Sequence, residues 1–366
     1  MTAITLPAGR APDHVGETRE SWRAIDRQTL LLLALGVALG GRGLNVLPDS
    51  VLSFLAPAVS AALAAMGALA GVGLHGDRRR EPGLPTSVAI DVGLTFAAVA
   101  AALLIAWRAA AQPSDTSVIA AVCFGVAAIP FSLSVREATQ ASSPLAARIS
   151  EAGLAVAIIA GAFAVAWPAN HSASRTIAAT AELAGIAAVV AAAGWLLAGQ
   201  TSDDNEQRVL AVGTVLLLGG AADYLGASAL FNGFVAGICG RVGDRVGRDR
   251  LARDLERLQR PLIVVLLIMA GARCRFSTAA LGLAVVYAMS RAAAKLAAGS
   301  IMSRRASGRP WSIGVSCLPP GAASVALALT VATAWNSPAA RLVVDVVVIG
   351  SMLGELLVSA MRRERA

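Results

Sequence analysis

Lys295 is the only lysine in the chain, and every other strongly basic side chain is an arginine. It sits inside an apolar run from Leu281 to Met302, where a charge is most costly. Arginine stays protonated in proteins, whereas a buried lysine can lose its proton. A lone lysine at such a place points to chemistry in which a proton comes and goes. The other ionisable candidates within apolar runs are Asp91, Glu151, Glu182, Arg291, Asp345 and Glu355.

Depth separates these candidates. Asp91 and Glu355 are expected near the cytoplasmic ends of their segments, within reach of water, and Asp345 follows Arg341 by one helical turn as a local pair. Glu182 lies one or two turns from the outer end of its run and is a secondary candidate, as is Asp91. Glu151 stands about 9 Å inside its segment from the cytoplasmic side, and Lys295 about 13 Å inside its own. An acid and an amine at one level can offset each other's desolvation. The expectation is a Glu151–Lys295 site, with Ser150 beside the acid and Arg291 one turn before the lysine. Glu151 is then the ligand for a monovalent cation.

Two segments cannot be uninterrupted helices. One reads "VAAIPFSLSV", with Ile129, Pro130 and Ser132 mid-run; the other reads "SCLPPGAASVALAL", with Leu318, Pro319, Pro320 and Gly321 mid-run. Proline removes a donor and clashes with the preceding turn. Unwound backbone at membrane depth is tolerated only where protein buries it or it lines a cavity. Each interruption falls in the middle of three consecutive segments, and the two triplets run in opposite directions. That pattern predicts inverted repeats with two discontinuous helices and a site near the midplane.

The elements that must position these residues are membrane spans. The chain is 56% hydrophobic and 15% charged, with a mean hydropathy of +0.67, too apolar for one soluble core. Its apolar residues fall in runs of about 20, the length that crosses a hydrocarbon core. The fold class expected is an all-α polytopic membrane protein with about twelve transmembrane helices. They fall near residues 28–47, 50–75, 86–111, 114–135, 145–168, 174–199, 207–222, 224–240, 261–273, 276–303, 311–334 and 339–361. Residues 1–27 read as a cytoplasmic tail without the apolar core of a signal peptide, and 362–366 as a second one. The stretch "DRLARDLERLQR" puts Leu251, Leu255 and Leu258 on one face and reads as a helix lying on the cytoplasmic surface.

The net charge of +8 comes from arginines gathered in alternate gaps, at Arg78–Arg80, Arg136 and Arg148, Arg241–Arg260 and Arg304–Arg309. This is the positive-inside footprint of loops facing anionic lipid, and it puts both termini in the cytoplasm. The acidic gap "GQTSDDNEQR" fits because acidic residues weigh little in that rule. No basic stripe interleaved with aromatics occurs, which argues against nucleic acid as a partner. The four cysteines show no CxxC spacing, and the three histidines lie in tails or loops. Neither a disulfide framework nor a histidine metal centre is implied, and no cofactor is expected. With no nucleophile–base set visible, an enzyme is not expected either.

On these residues the chain resembles the cation:proton antiporter superfamily, the sodium/hydrogen exchanger domain, over most of residues 50–360. The stretch "YLGASALFNGFVAGI" is similar to the family's Gly-Ser-rich segment ending in Phe-x-Ala-Gly. The arginine-rich linker, "IVVLLIMAGARCRF", "AMSRAAAKLAAG" and "CLPPGAASVALAL" follow in the family's order, the last two resembling its Arg-x-x-x-Lys helix and Pro-x-Gly crossing helix. "AAIPFSLSVREA" resembles the first crossing helix and "ISEAGLAVAI" the carboxylate helix after it. Three places depart from the pattern. Ala128 and Ile129 stand where a threonine or aspartate is usual, Ser150–Glu151 replaces an Asp-Asp or Asn-Asp pair, and Pro320 replaces a residue that is often basic.

The resemblance implies a sodium/proton antiporter-like fold, with core helices at about 86–168 and 276–361 and scaffold helices at about 28–75 and 174–273. It implies exchange of Na+ or K+ for protons across a plasma or inner membrane, by a homodimer in a lipid bilayer. "GFVAG", Gly233 to Gly237, offers a small-xxx-small face for scaffold packing. Two other functions fit the same segments: ion-coupled transport of an organic anion, and a non-transporting membrane scaffold or sensor.

Overall fold

The computed structural model describes residues 29–41, 43–74, 84–109, 114–130, 144–200, 203–241, 245–305, 314–315, 317–335 and 337–363. The expected tail 1–27 and Ser132 lie outside them. The described chain is helical, apart from loops and one isolated bridge between Gly40 and Leu47. In chain order the helices are α1 (Thr29–Leu39), α2 (Asp49–Phe54), α3 (Ala56–Gly73), α4 (Leu84–Ala109), α5 (Ser114–Ala128), α6 (Pro144–Asn170) and α7 (Ala173–Gln200). There follow α8 (Asp204–Tyr224), α9 (Ala229–Gly240), α10 (Arg245–Arg273), α11 (Thr278–Arg305), α12 (Ala322–Ala334) and α13 (Pro338–Arg363). Six of them, α3, α4, α6, α7, α11 and α13, are long and apolar enough to cross a membrane. The protein is an integral membrane protein.

Three boundaries differ from the sequence reading, each for a local reason. The first run stops being helical at Leu39, where Gly40, Gly41 and Gly43 follow and Asn45 adopts a φ of 51°. The second run divides at Leu55, because Pro57 near the start of α3 lacks an N–H to donate backward and favours a fresh helix start. The stretch 249–260, expected as a separate surface helix, is instead the first half of α10, a continuous helix with Pro261 inside it. One proline there forfeits a single backbone bond, and the helix runs through it.

Packing falls into two neighbourhoods. In one, α3 is the hub, with α8, α9 and α10 against it and α7 behind α9. In the other, α11 packs on α4 and α13, while α5 touches α4, α6, α12 and α13. Small residues let the hub close tightly. A Cβ on Gly233 or Gly237 of α9 would collide with the carbonyls of Ala64 and Ala68 on α3, and one on Gly67 or Gly71 of α3 would meet the backbone of α9. Without a hydrophobic drive between helices in lipid, such backbone approach is what holds a pair together.

Helix α4 turns one line of residues inward. Asp91, Thr95, Val99, Leu103 and Trp107 recur every fourth residue, and all five are buried. At 3.6 residues per turn each four-residue step moves about 40° round the axis, so successive members are neighbours on adjacent turns and the buried line winds along the helix. The apolar end of the line is locked by rings: Trp107 lies 6.3 Å from Phe124 of α5, and Phe124 lies 6.4 Å from Tyr287 of α11. The polar end of the line, Asp91 and Thr95, is delivered to the middle of the second neighbourhood.

Candidate functional site: a buried ion pair at two helix breaks

The prolines create the site by ending helices early. Helix α5 stops at Ala128, and Ile129 and Pro130 continue it without helical geometry. Proline cannot donate, and it biases the residue before it toward extended conformations. Carbonyls at the end of α5 therefore lose their intrahelical partners. The second break spans 317–321, and α12 begins after it with extended Gly321 as its N-cap residue.

Arg291 of α11 joins the two breaks. Its Nε donates to the Ala128 carbonyl at 3.0 Å, Nη1 to Leu318 at 2.6 Å, and Nη2 to Pro130 at 3.1 Å and Pro319 at 3.4 Å. One planar fork thus serves carbonyls from both interruptions, a geometry an ammonium cannot reproduce. The Ser324 hydroxyl, in the first turn of α12, adds a bond to the Pro130 carbonyl at 3.3 Å. The guanidinium also supplies positive charge at a helix C-terminus, where the partial charge is negative.

One turn further along α11, Lys295 is fully buried. Its Nζ donates to Asp91 Oδ2 at 2.7 Å and to the Ile129 carbonyl at 2.8 Å. Asp91 is 1% exposed. Removing two charges from water is costly, and a short bond with a second acceptor is what makes the arrangement tenable. The other oxygen of the carboxylate, Oδ1, has no hydrogen-bond partner among the described residues.

An acid paired with Lys295 is Asp91 on α4; the sequence reading gives that place to Glu151. Asp91 was expected to reach water, and so was Glu355; both are buried. The remaining expected residues are distributed as follows. Ser150 is buried on α6, and Glu151 next to it is half-buried. Ile129, Pro130, Leu318 and Pro320 are buried at the breaks, with Pro319 and Gly321 half-buried. Asp345, expected as a partner of Arg341, accepts the backbone N–H of Arg275 at 2.8 Å and so anchors the turn before α11. Glu182 is exposed on α7, in the other neighbourhood. Asp91 and Glu355 both act electrostatically on Arg291, so the described residues of the site include two acids and two bases.

Sequence reasoning missed Thr95 altogether. The signal was present in the four-residue step from Asp91 to Thr95, which puts a carboxylate and a hydroxyl on adjacent turns of one buried side of α4.

No family model matches the chain, and no curated protein matches it by sequence. Solved structures do match. The sodium/proton antiporter MjNhaP1 from Methanocaldococcus jannaschii, solved at pH 8, aligns over 91% of this chain and 90% of its own. The TM-score is 0.58 and the sequence identity 16%. This chain accordingly has the sodium/proton antiporter fold.

Proposed function

We propose that the protein is a secondary transporter that exchanges a monovalent cation, Na+ or K+, for protons, with Asp91 and Lys295 as the exchanging pair. The observation that carries this reading is the buried ion pair lying against the unwound end of α5. A carboxylate that binds an ammonium in a dry site can bind a metal cation in its place. The exchange balances without net charge movement. As one cation enters, the ammonium of Lys295 releases one proton and becomes a neutral amine; when the cation leaves, a proton returns to the amine and the pair re-forms. Arg291 stays charged throughout and holds the two breaks together.

In this reading α4–α6 and α11–α13 form the moving core and the remaining helices a scaffold, within a homodimer. The membrane is a plasma or inner membrane, with both termini on the cytoplasmic side. The fold it shares with an antiporter agrees with this assignment. A second reading is a non-transporting scaffold, favoured by the internal balance of Asp91 and Glu355 against Arg291 and Lys295. Proton flux in proteoliposomes separates the two. Imposed gradients of Na+, K+ or Li+ should drive proton movement in the wild type, Asp91→Gln or Asp91→Asn should abolish it, and Glu151→Gln should retain it. Loss in Glu151→Gln with retention in Asp91→Asn moves the ion site to Glu151. Absence of movement with every cation in the wild type removes the exchange reading and leaves the scaffold.

A further inference from the structure

Thr95 behaves unlike four other helical threonines among the described residues. A threonine inside a helix usually satisfies its hydroxyl by bonding the carbonyl four residues earlier. Thr176, Thr180, Thr214 and Thr330 do so, at 2.8 to 2.9 Å. Thr95 does not, although it is 0% exposed, and its Oγ1 has no hydrogen-bond partner among the described residues. A buried hydroxyl without a partner carries a desolvation penalty that the adjacent carbonyl could have relieved. The residue four positions earlier is Asp91, whose Oδ1 is likewise without a partner. Two unsatisfied oxygens thus stand on one buried face, one helical turn or about 6 Å of rise apart, beside the pair formed by Lys295 and Asp91 Oδ2.

We propose that Thr95 is a ligand of the transported cation, its Oγ1 completing an oxygen set formed by the Asp91 carboxylate and the Ile129 carbonyl. This rests on the exchange reading above and adds a site residue and a charge class to it. When a cation takes the place of the Lys295 ammonium, the Asp91 Oδ2 and Ile129 oxygens now bound by that ammonium become available. Asp91 Oδ1 and Thr95 Oγ1 are available already. All are hard oxygen donors, suited to an alkali cation rather than a soft transition metal. Charge sets the valence. When Lys295 becomes neutral, the Asp91 carboxylate loses the single positive charge of its ammonium partner, and one monovalent cation restores it. A divalent ion would leave an uncompensated charge in a dry site, which is costly.

The test uses full-length protein with Na+, K+ and Li+ as chloride salts. It measures proton release into weakly buffered detergent solution, cation-dependent thermal stabilisation, and proton flux in proteoliposomes. Thr95→Val keeps the shape and removes the oxygen. It should raise the half-saturating cation concentration about tenfold, the scale of one lost polar contact to a charge, with the cation-free melting temperature unchanged or higher. Thr95→Ser should restore the wild-type value, and Thr214→Val on α8 should leave it unaltered. Thr95→Ala carries the same measurement should the valine variant fail to fold. Wild-type half-saturation in Thr95→Val or Thr95→Ala overturns the ligand role while leaving exchange intact. Cation-dependent stabilisation that is lost in Thr95→Val, without flux in the wild type, keeps the site and removes the exchange reading. No cation effect in any of the three measurements on the wild type overturns both.

Discussion

The ammonium of Lys295 stands 2.7 Å from Asp91 Oδ2, and 204 residues of sequence separate the two. The pair joins α4 to α11 and rests on the carbonyl of Ile129, so three stretches of chain converge on one proton-bearing group. Any cation that binds Asp91 Oδ2 must compete with this bond to the Lys295 ammonium.

That double role has a measurable signature. Lys295→Met removes one partner and leaves a buried carboxylate behind, which costs about 3–5 kcal/mol. Replacing both, as Lys295→Met with Asp91→Leu, removes the stranded charge and should return stability to within about 1 kcal/mol of the wild type or above it. Unfolding of the purified protein in detergent, read as a double-mutant cycle, checks this. Equal stability of the single and double variants would show that the pair is energetically idle.

Arg291 is predicted to be less replaceable than its charge suggests. Its fork serves carbonyls of Ala128, Pro130, Leu318 and Pro319 at once. Arg291→Lys keeps the charge but reaches fewer of them, leaving buried carbonyls unsatisfied at about 1–3 kcal/mol each. The expected outcome is a loss of at least about 2 kcal/mol, with a lower melting temperature and protease cleavage near the breaks. A lysine variant as stable as the wild type would show that charge alone holds the two breaks.

The sequence exposes the cost of individual residues better than their orientation. Lys295 is conspicuous as a lone lysine in an apolar run, and the breaks follow from Pro130 and from Pro319–Pro320 because proline chemistry is local. The partner acid is not legible in that way. The sequence reading separates Asp91 from Glu151 by depth, yet each lies seven residues beyond the first residue of its helix, Leu84 of α4 and Pro144 of α6, so counting residues does not choose between them. What separates them is rotation about the helix axis, which tertiary packing fixes. On α6 the buried positions include Ser150, Leu154, Ala157 and Ile158, and Glu151 is turned partly away from them. On α4 the four-residue step from Asp91 to Thr95, continued by Val99, Leu103 and Trp107, marks the buried line in plain view. The continuity of α10 is a different case: a polar half and an apolar half joined at Pro261 look like two elements when read by composition, although one helix can pass from one environment to the next.

The start of α9 depends on a single cap. The Ser228 hydroxyl accepts the backbone N–H of Phe231 at 3.1 Å, in a buried setting where water cannot substitute. Ser228→Ala should cost about 1 kcal/mol, within the range for lost N-caps, and Ser228→Asp or Ser228→Thr should cost less. Thermal unfolding of the three variants in one detergent provides the comparison, and an alanine variant indistinguishable from wild type would remove the cap from the account of α9.

The approach of α9 to α3 permits the sharpest contrast between two glycines. A Cβ on Gly233 would meet the Ala64 backbone, a neighbour that cannot rotate away, whereas Gly213 of α8 has open space around the same position. Gly233→Leu must therefore push two helices apart, at a cost of about 3 kcal/mol, the upper end of ordinary overpacking. Gly213→Leu meets no obstacle and exchanges a poor helix former for a good one, so its stability should rise by a few tenths to about 1 kcal/mol. Both changes add the same apolar side chain to a helix of the same bundle, so lipid partitioning and bulk hydrophobicity cancel between them. Folded yield and unfolding temperature measured side by side should then diverge in opposite directions. If the two variants behave alike, close backbone contact between α3 and α9 is not what holds this neighbourhood together.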